Sequence, residues 1–449
     1  MTYGPHTPAD REHMLGTLGI ASIDALFADI PAAVRAGGLG LPAGLDELSL
    51  ARRLEQLAGR NRPGVVSFLG AGAYRHHIPA TVDQILSRGE FYTAYTPYQP
   101  EISQGTLQTI YEYQSLIAEL TGLDVVSASH YDGAAATAEA ALMTVRATRR
   151  ERVLISRAVH RHYVDTTRTY FEGGRLTLEE LPTLVDGTTD LAALERELAD
   201  PARPVAGVIV GQPNAFGILE DMAEAARLAH AAGALFVAVV EPVSLAVLAP
   251  PGEYGADVAV GEGQPLGIAL QYGGPYLGLL AARSDLVRQV PGRLVGRTTD
   301  VDGRRAYVMT LRAREQDIRR DKAASNICTN QALCALAATV YVATLGPHGL
   351  HDVAALGAAR AKRLEDALAG TGMARVHSGA YLNEFAVRVP NAAAVHAALV
   401  ERGIVAGLPL ADWYPQDAEL ADALLVCATE VTTDEDIDRL VTGLREVAS

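Results

Sequence analysis

The sequence predicts an α/β fold with a large, mainly parallel sheet domain and a smaller carboxy-terminal α+β domain. Two observations predict it. From about Val65, short β-branched runs alternate with alanine-rich helical patterns, and strand–helix alternation at that spacing builds a parallel sheet. After Leu345-Gly346-Pro347 the order becomes helix, strand, helix, strand, helix, which reads as a second compact unit. The 449 residues, 49% of them hydrophobic, allow two or three domains. The boundaries read as a helical arm over 1–62, the large domain over 63–345 and the small domain over 346–449.

Each element has a local reason. In the arm, Ser22 precedes Ile23, Leu26 and Phe27, and residues 46–57 place Leu48, Leu50, Leu54 and Leu57 near helical spacing. The Gly/Pro-rich piece over 36–44 connects them. Leu107, Ile110, Tyr111, Ile117 and Leu120 trace an amphipathic helix that Gly122 closes. Residues 133–149 form an alanine-dominated helix. Strands are expected at 153–156, 205–210, 235–240 and 258–260, with a helix over 222–232. In the small domain, helices over 351–368, 392–402 and 434–447 enclose strands at 385–389 and 424–428.

Composition excludes several function classes. A net charge of −15 disfavours nucleic acid and anionic membranes, since both recruit positive charge. The opening Met1-Thr2-Tyr3-Gly4-Pro5-His6 has neither basic flank nor apolar core, so no leader is expected. The longest apolar stretch, near 235–248, is interrupted by Glu241, Pro242 and Ser244, too soon to span a bilayer. Cys328, Cys334 and Cys427 are odd in number and widely spaced, neither a disulfide framework nor a zinc set. A cytoplasmic protein with no metal is the expectation. Only Lys322 and Lys362 are lysines, so any chemistry that needs an amine side chain has two candidates.

Several segments carry polar chemistry. Residues 91–105 are dense in Tyr, Thr, Gln and Glu, and Pro97 and Pro100 hold them out of a regular helix. Such a loop binds a ligand, plugs a subunit interface, or does both. In Ser129-His130-Tyr131-Asp132-Gly133, ahead of the alanine-rich helix, Asp132 reads as an N-cap, with a phosphate at the helix N-terminus as the alternative. His160 follows a strand and either stacks on a planar ligand or is structural. Gln212-Pro213-Asn214 and Glu241-Pro242 lie just beyond strand ends, where open α/β sheets face their ligands; turn chemistry competes. Residues 283–322 hold 11 Arg or Lys against 6 acids, either an anion path or a solvated helix face.

Read together, the motifs resemble the P-protein of the glycine cleavage system (glycine decarboxylase), nearest to subunit 1 of the split form, the amino-terminal-half type. The marks run in order. They are Thr93-Ala94-Tyr95-Thr96-Pro97-Tyr98-Gln99-Pro100-Glu101, Tyr131-Asp132-Gly133, Pro250-Pro251-Gly252-Glu253-Tyr254-Gly255-Ala256-Asp257 and Gly261-Glu262-Gly263-Gln264. Tyr272-Gly273-Gly274-Pro275-Tyr276, Pro291-Gly292-Arg293, Ala313-Arg314-Glu315-Gln316 and Arg319-Arg320-Asp321-Lys322 through Thr329 follow.

The resemblance implies the fold type I architecture of pyridoxal phosphate (PLP)-dependent transferases. It implies glycine decarboxylation, with the aminomethyl group passed to the lipoyl arm of H-protein. It also implies a complex with a PLP-bearing subunit 2, expected as an α2β2 heterotetramer. Such a site needs a lysine some tens of residues after the strand that carries the ring-nitrogen acid, and residues 261–274 contain none. Lys322 sits in a charged run and Lys362 in a surface-type helix. The chain is therefore expected to complete its partner's site rather than to anchor PLP. Tyr95, Thr96, Tyr98, Gln99 and Glu101 are the expected lending loop, and Gly273 and Gly274 allow backbone to approach the partner's phosphate. His160 and Glu241 match the stacking and ring-nitrogen positions and are expected to be vestigial. An autonomous PLP enzyme using Lys322, or a non-catalytic scaffold, are the competing readings.

Overall fold

The computed structural model describes residues 4–447, so Met1 to Tyr3 of the opening lie outside the described residues. The chain divides into two compact units, Met1–Pro63 and Gly64–Ser449. In the first, α1 (Pro8–Leu18) starts with a capping box between Thr7 and Asp10 and ends on left-handed Gly19. The helix α2 (Glu47–Ala58) is capped by Asp46, whose carboxylate accepts from the Ser49 N–H. Around Ile23–Phe27 the expected helix is a single 3₁₀ stretch, because Ser22 makes no cap bond and so short a turn does not propagate. Neither α1 nor α2 buries a residue.

In the second unit the chain passes β1 (Val66–Ser67), α3 (Ala80–Leu86), α4 (Gly89–Tyr92) and α5 (Gln104–Thr121), then enters the main sheet at β2 (Val125–Val126). Six strands complete that sheet: β3 (Arg152–Ser156), β4 (Thr177–Leu181), β5 (Val205–Gln212), β6 (Leu235–Val240), β7 (Val258–Glu262) and β8 (Gly278–Ala282). Their spatial order is β2-β8-β7-β6-β5-β3-β4. The run β7-β6-β5-β3-β4 is parallel throughout, and β8 lies antiparallel to β7 and β2. The helices α6 (Gly133–Thr148), α7 (Arg161–Glu172), α8 (Leu191–Leu198) and α9 (Met222–Ala231) connect the strands.

Central strands read as unbroken apolar runs because both faces are covered; β5 is buried from Val205 to Gly211. The alanines of α6 have the same cause. Ala136, Ala140 and Ala141 are fully buried against β3, β5 and β7, and larger side chains would push the helix off the sheet. A Cβ at Gly207 would meet Thr144 Oγ1 at 2.6 Å, so glycine sets how close α6 lies.

The basic stretch 283–322 is not a helix face. Much of it is an antiparallel hairpin, β9 (Leu294–Thr299) with β10 (Arg305–Thr310), followed by short turns and α10 (Gln316–Arg319). The helix expected from residue 351 begins earlier: α11 (Ala332–Ala369) is broken at Gly346, with φ 62° and ψ −176°, just before Pro347. It is long and apolar enough to cross a membrane by length and composition. Its two halves instead fill two cores, Ala335, Ala338 and Tyr341 in one and Ala361, Leu364 and Leu368 in the other. The second core is closed by β11 (Glu384–Arg388), α12 (Ala392–Glu401), β12 (Ile404–Val405), β13 (Leu408–Pro409), β14 (Ala423–Cys427) and α13 (Asp434–Val447). Ile437, Leu440, Val441 and Leu444 give α13 its buried stripe. β1 pairs with β12, so the start of this unit is tied to its end.

Candidate functional site

The carboxyl ends of β3, β5, β6 and β7 open onto one small cavity of about 50 Å³. His160 and Glu241 both line it, so the two expected ring positions come together. Gly211 near the end of β5 and Pro213 and Asn214 beyond it line it as well, with Glu262, Trp413 and, from β11, Glu384.

His160 has no free nitrogen and little free face. Its Nε2 lies 2.8 Å from the Ala71 carbonyl, and its Nδ1 accepts the His162 N–H at 3.2 Å. The ring is therefore neutral with the proton on Nε2, and burial lowers its pKa to about 4. Tyr163 stacks on it at 4.6 Å, Trp413 meets it edge-on at 4.5 Å, and a Cβ on Gly72 would come within 2.5 Å of it.

Three carboxyl groups surround the same space. Glu241 accepts from the Val243 and Ser244 N–H groups at 3.0 and 2.7 Å, and burial raises its pKa. Glu262 Oε1 accepts from Gln264 N–H at 2.9 Å and Leu277 N–H at 2.8 Å, while Oε2 accepts from Gly133 N–H at 2.9 Å. Glu384 accepts the Ala71 N–H at 2.5 Å and the Tyr74 hydroxyl at 3.0 Å. Burial pushes both Glu262 and Glu384 up to about 7. Asp132 caps α6 through the Ala135 N–H at 2.7 Å, as the cap reading expects.

Just beyond β7, Gln264 is spent on backbone. Its Oε1 accepts from Tyr74 N–H at 2.8 Å, and its Nε2 donates to the carbonyls of Tyr74 and Ile268 at 3.0 and 2.7 Å. The segment over 70–77 is thus strapped beside the cavity, which its Ala71, Gly72 and Tyr74 line. Neither lysine is near: Lys362 pairs with Asp366 and Glu365 on α11, and Lys322 is exposed in a 3₁₀ turn.

The expected lending loop lies elsewhere. Between α4 and α5 the chain is irregular up to a 3₁₀ turn at Pro100–Ile102, and Tyr95 is 76% exposed. Tyr95 and Thr96 line a cavity of about 230 Å³ with Tyr92 and Arg293. Tyr98 is held from within: Arg293 donates to its hydroxyl at 3.1 Å, and the guanidinium carbons of Arg293 and Arg312 lie 5.5 and 5.2 Å from its ring centre. Gln99 and Glu101 face outward. Gly273 and Gly274 occupy a different exposed loop with φ 113° and 106°, conformations only glycine takes readily, and open space surrounds the Gly273 Cα.

Sequence reasoning did not single out Glu262, Gln264, Glu384, Trp413 or Arg293 as site residues. Glu262 and Gln264 had a signal in their position at a strand end. Glu384 and Trp413 arrive from β11 and the stretch before β14, far along the chain, and had none.

The glycine cleavage system P-protein model matches residues 1–444 of this chain. The chain belongs to the glycine cleavage system P-protein family. Among P-protein relatives, the probable glycine dehydrogenase (decarboxylating) subunit 1 of Moorella thermoacetica is 55% identical over the full length of both chains. That of Geobacillus kaustophilus is 50% identical over 98% of each. A solved structure described as glycine decarboxylase (P-protein) of the glycine cleavage system, in inhibitor-bound form, superposes with a TM-score of 0.92 at 44% identity and full coverage of both. A NifS-like protein shares the fold alone, with a TM-score of 0.62 at 14% identity over 85% of this chain and 99% of that one. The chain is thus of the subunit 1 type of the split P-protein, on a fold type I scaffold whose family uses pyridoxal phosphate. The residues of its own cleft do not fit that coenzyme: among the described residues no lysine lines the cavity, and about 50 Å³ is far below the roughly 300 Å³ of small-ligand pockets.

Proposed function

We propose that this P-protein chain acts in a decarboxylating glycine dehydrogenase by completing an active site whose PLP is held by subunit 2. In this reading two copies of each subunit form an α2β2 heterotetramer in the cytoplasm. Glycine loses its carboxylate there, and the aminomethyl group passes to the lipoyl arm of H-protein. The chain is inactive alone.

The observation that carries the reading is the pairing of a small, lysine-free cleft with an aromatic loop anchored at Tyr98 and otherwise turned outward. Tyr98 is clamped by two arginines, while Tyr95, Gln99 and Glu101 beside it remain exposed. Pre-ordering a loop lowers the entropy lost when it docks, so the clamp favours a loop that works against another chain. Its polar tips are suited to orienting a small zwitterion or a carboxylate. Gly273 and Gly274, which carry no side chains, permit close backbone approach to an anion. A Schiff base on Lys322 is disfavoured by the exposure of that amine, which nothing desolvates.

The test is reconstitution with subunit 2 and lipoylated H-protein. Tyr95→Phe and Glu101→Gln are expected to lower glycine decarboxylation at least tenfold while the mass of the complex is unchanged. Unchanged turnover with intact assembly would make this chain a scaffold.

A further inference from the structure

A sixteen-residue helix, α6, points its N-terminus at the carboxyl edge of the sheet, and such a terminus is where a phosphate binds most readily. In this chain Glu262 takes the Gly133 N–H there and Asp132 takes that of Ala135. The N–H groups of Gly133, Gln264 and Leu277 come from the helix start, the exit of β7 and the approach to β8, and all three converge on the carboxylate of Glu262. Gly133 is needed for the approach: a Cβ there would meet the Tyr163 hydroxyl at 2.3 Å and Glu262 N at 3.0 Å.

The neighbouring space is occupied in the same manner. Gln264, two residues beyond β7, is bonded to the Tyr74 and Ile268 backbone. The faces of His160 are taken by Tyr163, Trp413 and Gly72. Glu241 and Glu384 border the same cavity and offer no cation to a phosphate ester there.

We propose that Glu262 is a built-in occupant of the coenzyme's phosphate cradle, doing for this chain's sheet edge what a bound phosphate does in coenzyme-bearing relatives. The carboxylate ties helix, strand end and returning strand together without a cofactor. The chain therefore refuses PLP through its own filled cradle, and not only through the missing lysine. Removing the carboxylate opens a site for a phosphate monoanion or dianion. This deepens the reading that the coenzyme belongs to subunit 2, and it is tested on the isolated chain so that the two can fail separately.

The experiment compares the full-length wild type, Glu262→Ala and Glu262→Gln by thermal unfolding at pH 7. Inorganic phosphate is titrated against chloride at matched ionic strength. Pyridoxine 5′-phosphate, which has no aldehyde to react with Lys322 or Lys362, forms a second arm. The wild type is expected to respond to neither. Glu262→Ala is expected to melt lower and to regain at least about 2 °C with phosphate, saturably, with no added gain from pyridoxine phosphate. Glu262→Gln, which still fills the cradle, is expected to show no phosphate response. Saturable protection of the wild type by either compound would overturn the proposal, as would a folded Glu262→Ala chain indifferent to phosphate. Should that variant fold in neither buffer, Glu262→Ser decides, and indifference there overturns it equally. Wild-type chain that forms a Schiff base and decarboxylates glycine alone would instead sink the functional reading above.

Discussion

The Arg293 guanidinium donates to the Tyr98 hydroxyl at 3.1 Å and lies 5.5 Å from the centre of the same ring, so one buried side chain fixes both ends of an exposed residue. Arg293 is 8% exposed, with Glu315 at 3.7 Å on its other side. Replacing it by Met removes the hydrogen bond and one of the two arginines over the ring, and leaves Glu315 with only Arg312 and Arg314 as positive neighbours. Losing a charge-assisted hydrogen bond costs about 1.5–3 kcal/mol, which urea unfolding of the isolated chain will register. Tyr98→Phe loses the same hydrogen bond but keeps both arginines over the ring, so its melting point is expected to fall less than that of Arg293→Met. If Arg293→Met unfolds like the wild type, the loop is not clamped from within.

Glu384 links β11 to the strap over 70–77 and is held neutral up to about pH 7 by burial. The folded pKa lies above the unfolded one. The folded chain therefore binds more protons between about pH 4.5 and 7, and this group's contribution to stability falls as pH rises through that window. Glu384→Gln cannot ionise. Its melting temperature relative to wild type is expected to climb between pH 5.5 and pH 8, and a constant difference over that range would contradict the assignment.

His160 is buried neutral, with its pKa lowered to about 4. The sign is opposite: the unfolded chain takes up the proton first, so the stability this residue contributes is lost as pH falls from about 6.5 towards 4. Its ring resonances, assigned with His160→Gln, are expected to stay fixed from pH 5.5 to 8.5. A midpoint near 6.5 would mean that the ring is open to solvent.

The parts legible in the sequence are those set by neighbours along the chain. Gly122 closes α5 in the left-handed conformation that its position after the periodic residues implied, and Asp132 caps α6 for the same local reason. β5 and β6 announced themselves through unbroken β-branched runs. β8 did not, because Gly278-Leu279-Leu280-Ala281-Ala282 is short and free of β-branched residues, and its antiparallel direction depends on the loop before it. In the site, His160 and Glu241 were legible as strand-end residues, and the cavity joins them. The strap was not. Tyr74, Gln264 and Glu384 meet across separations of 190 and 310 residues, which topology decides and no local pattern encodes.

The central claim is that this chain completes a site whose coenzyme another subunit holds. Its most direct test is borohydride reduction of the reconstituted complex, followed by peptide mapping of both subunits. The account predicts a pyridoxyl adduct on a lysine of subunit 2 and none on Lys322 or Lys362. An adduct on Lys322, in a chain that releases carbon dioxide from glycine by itself, would contradict it.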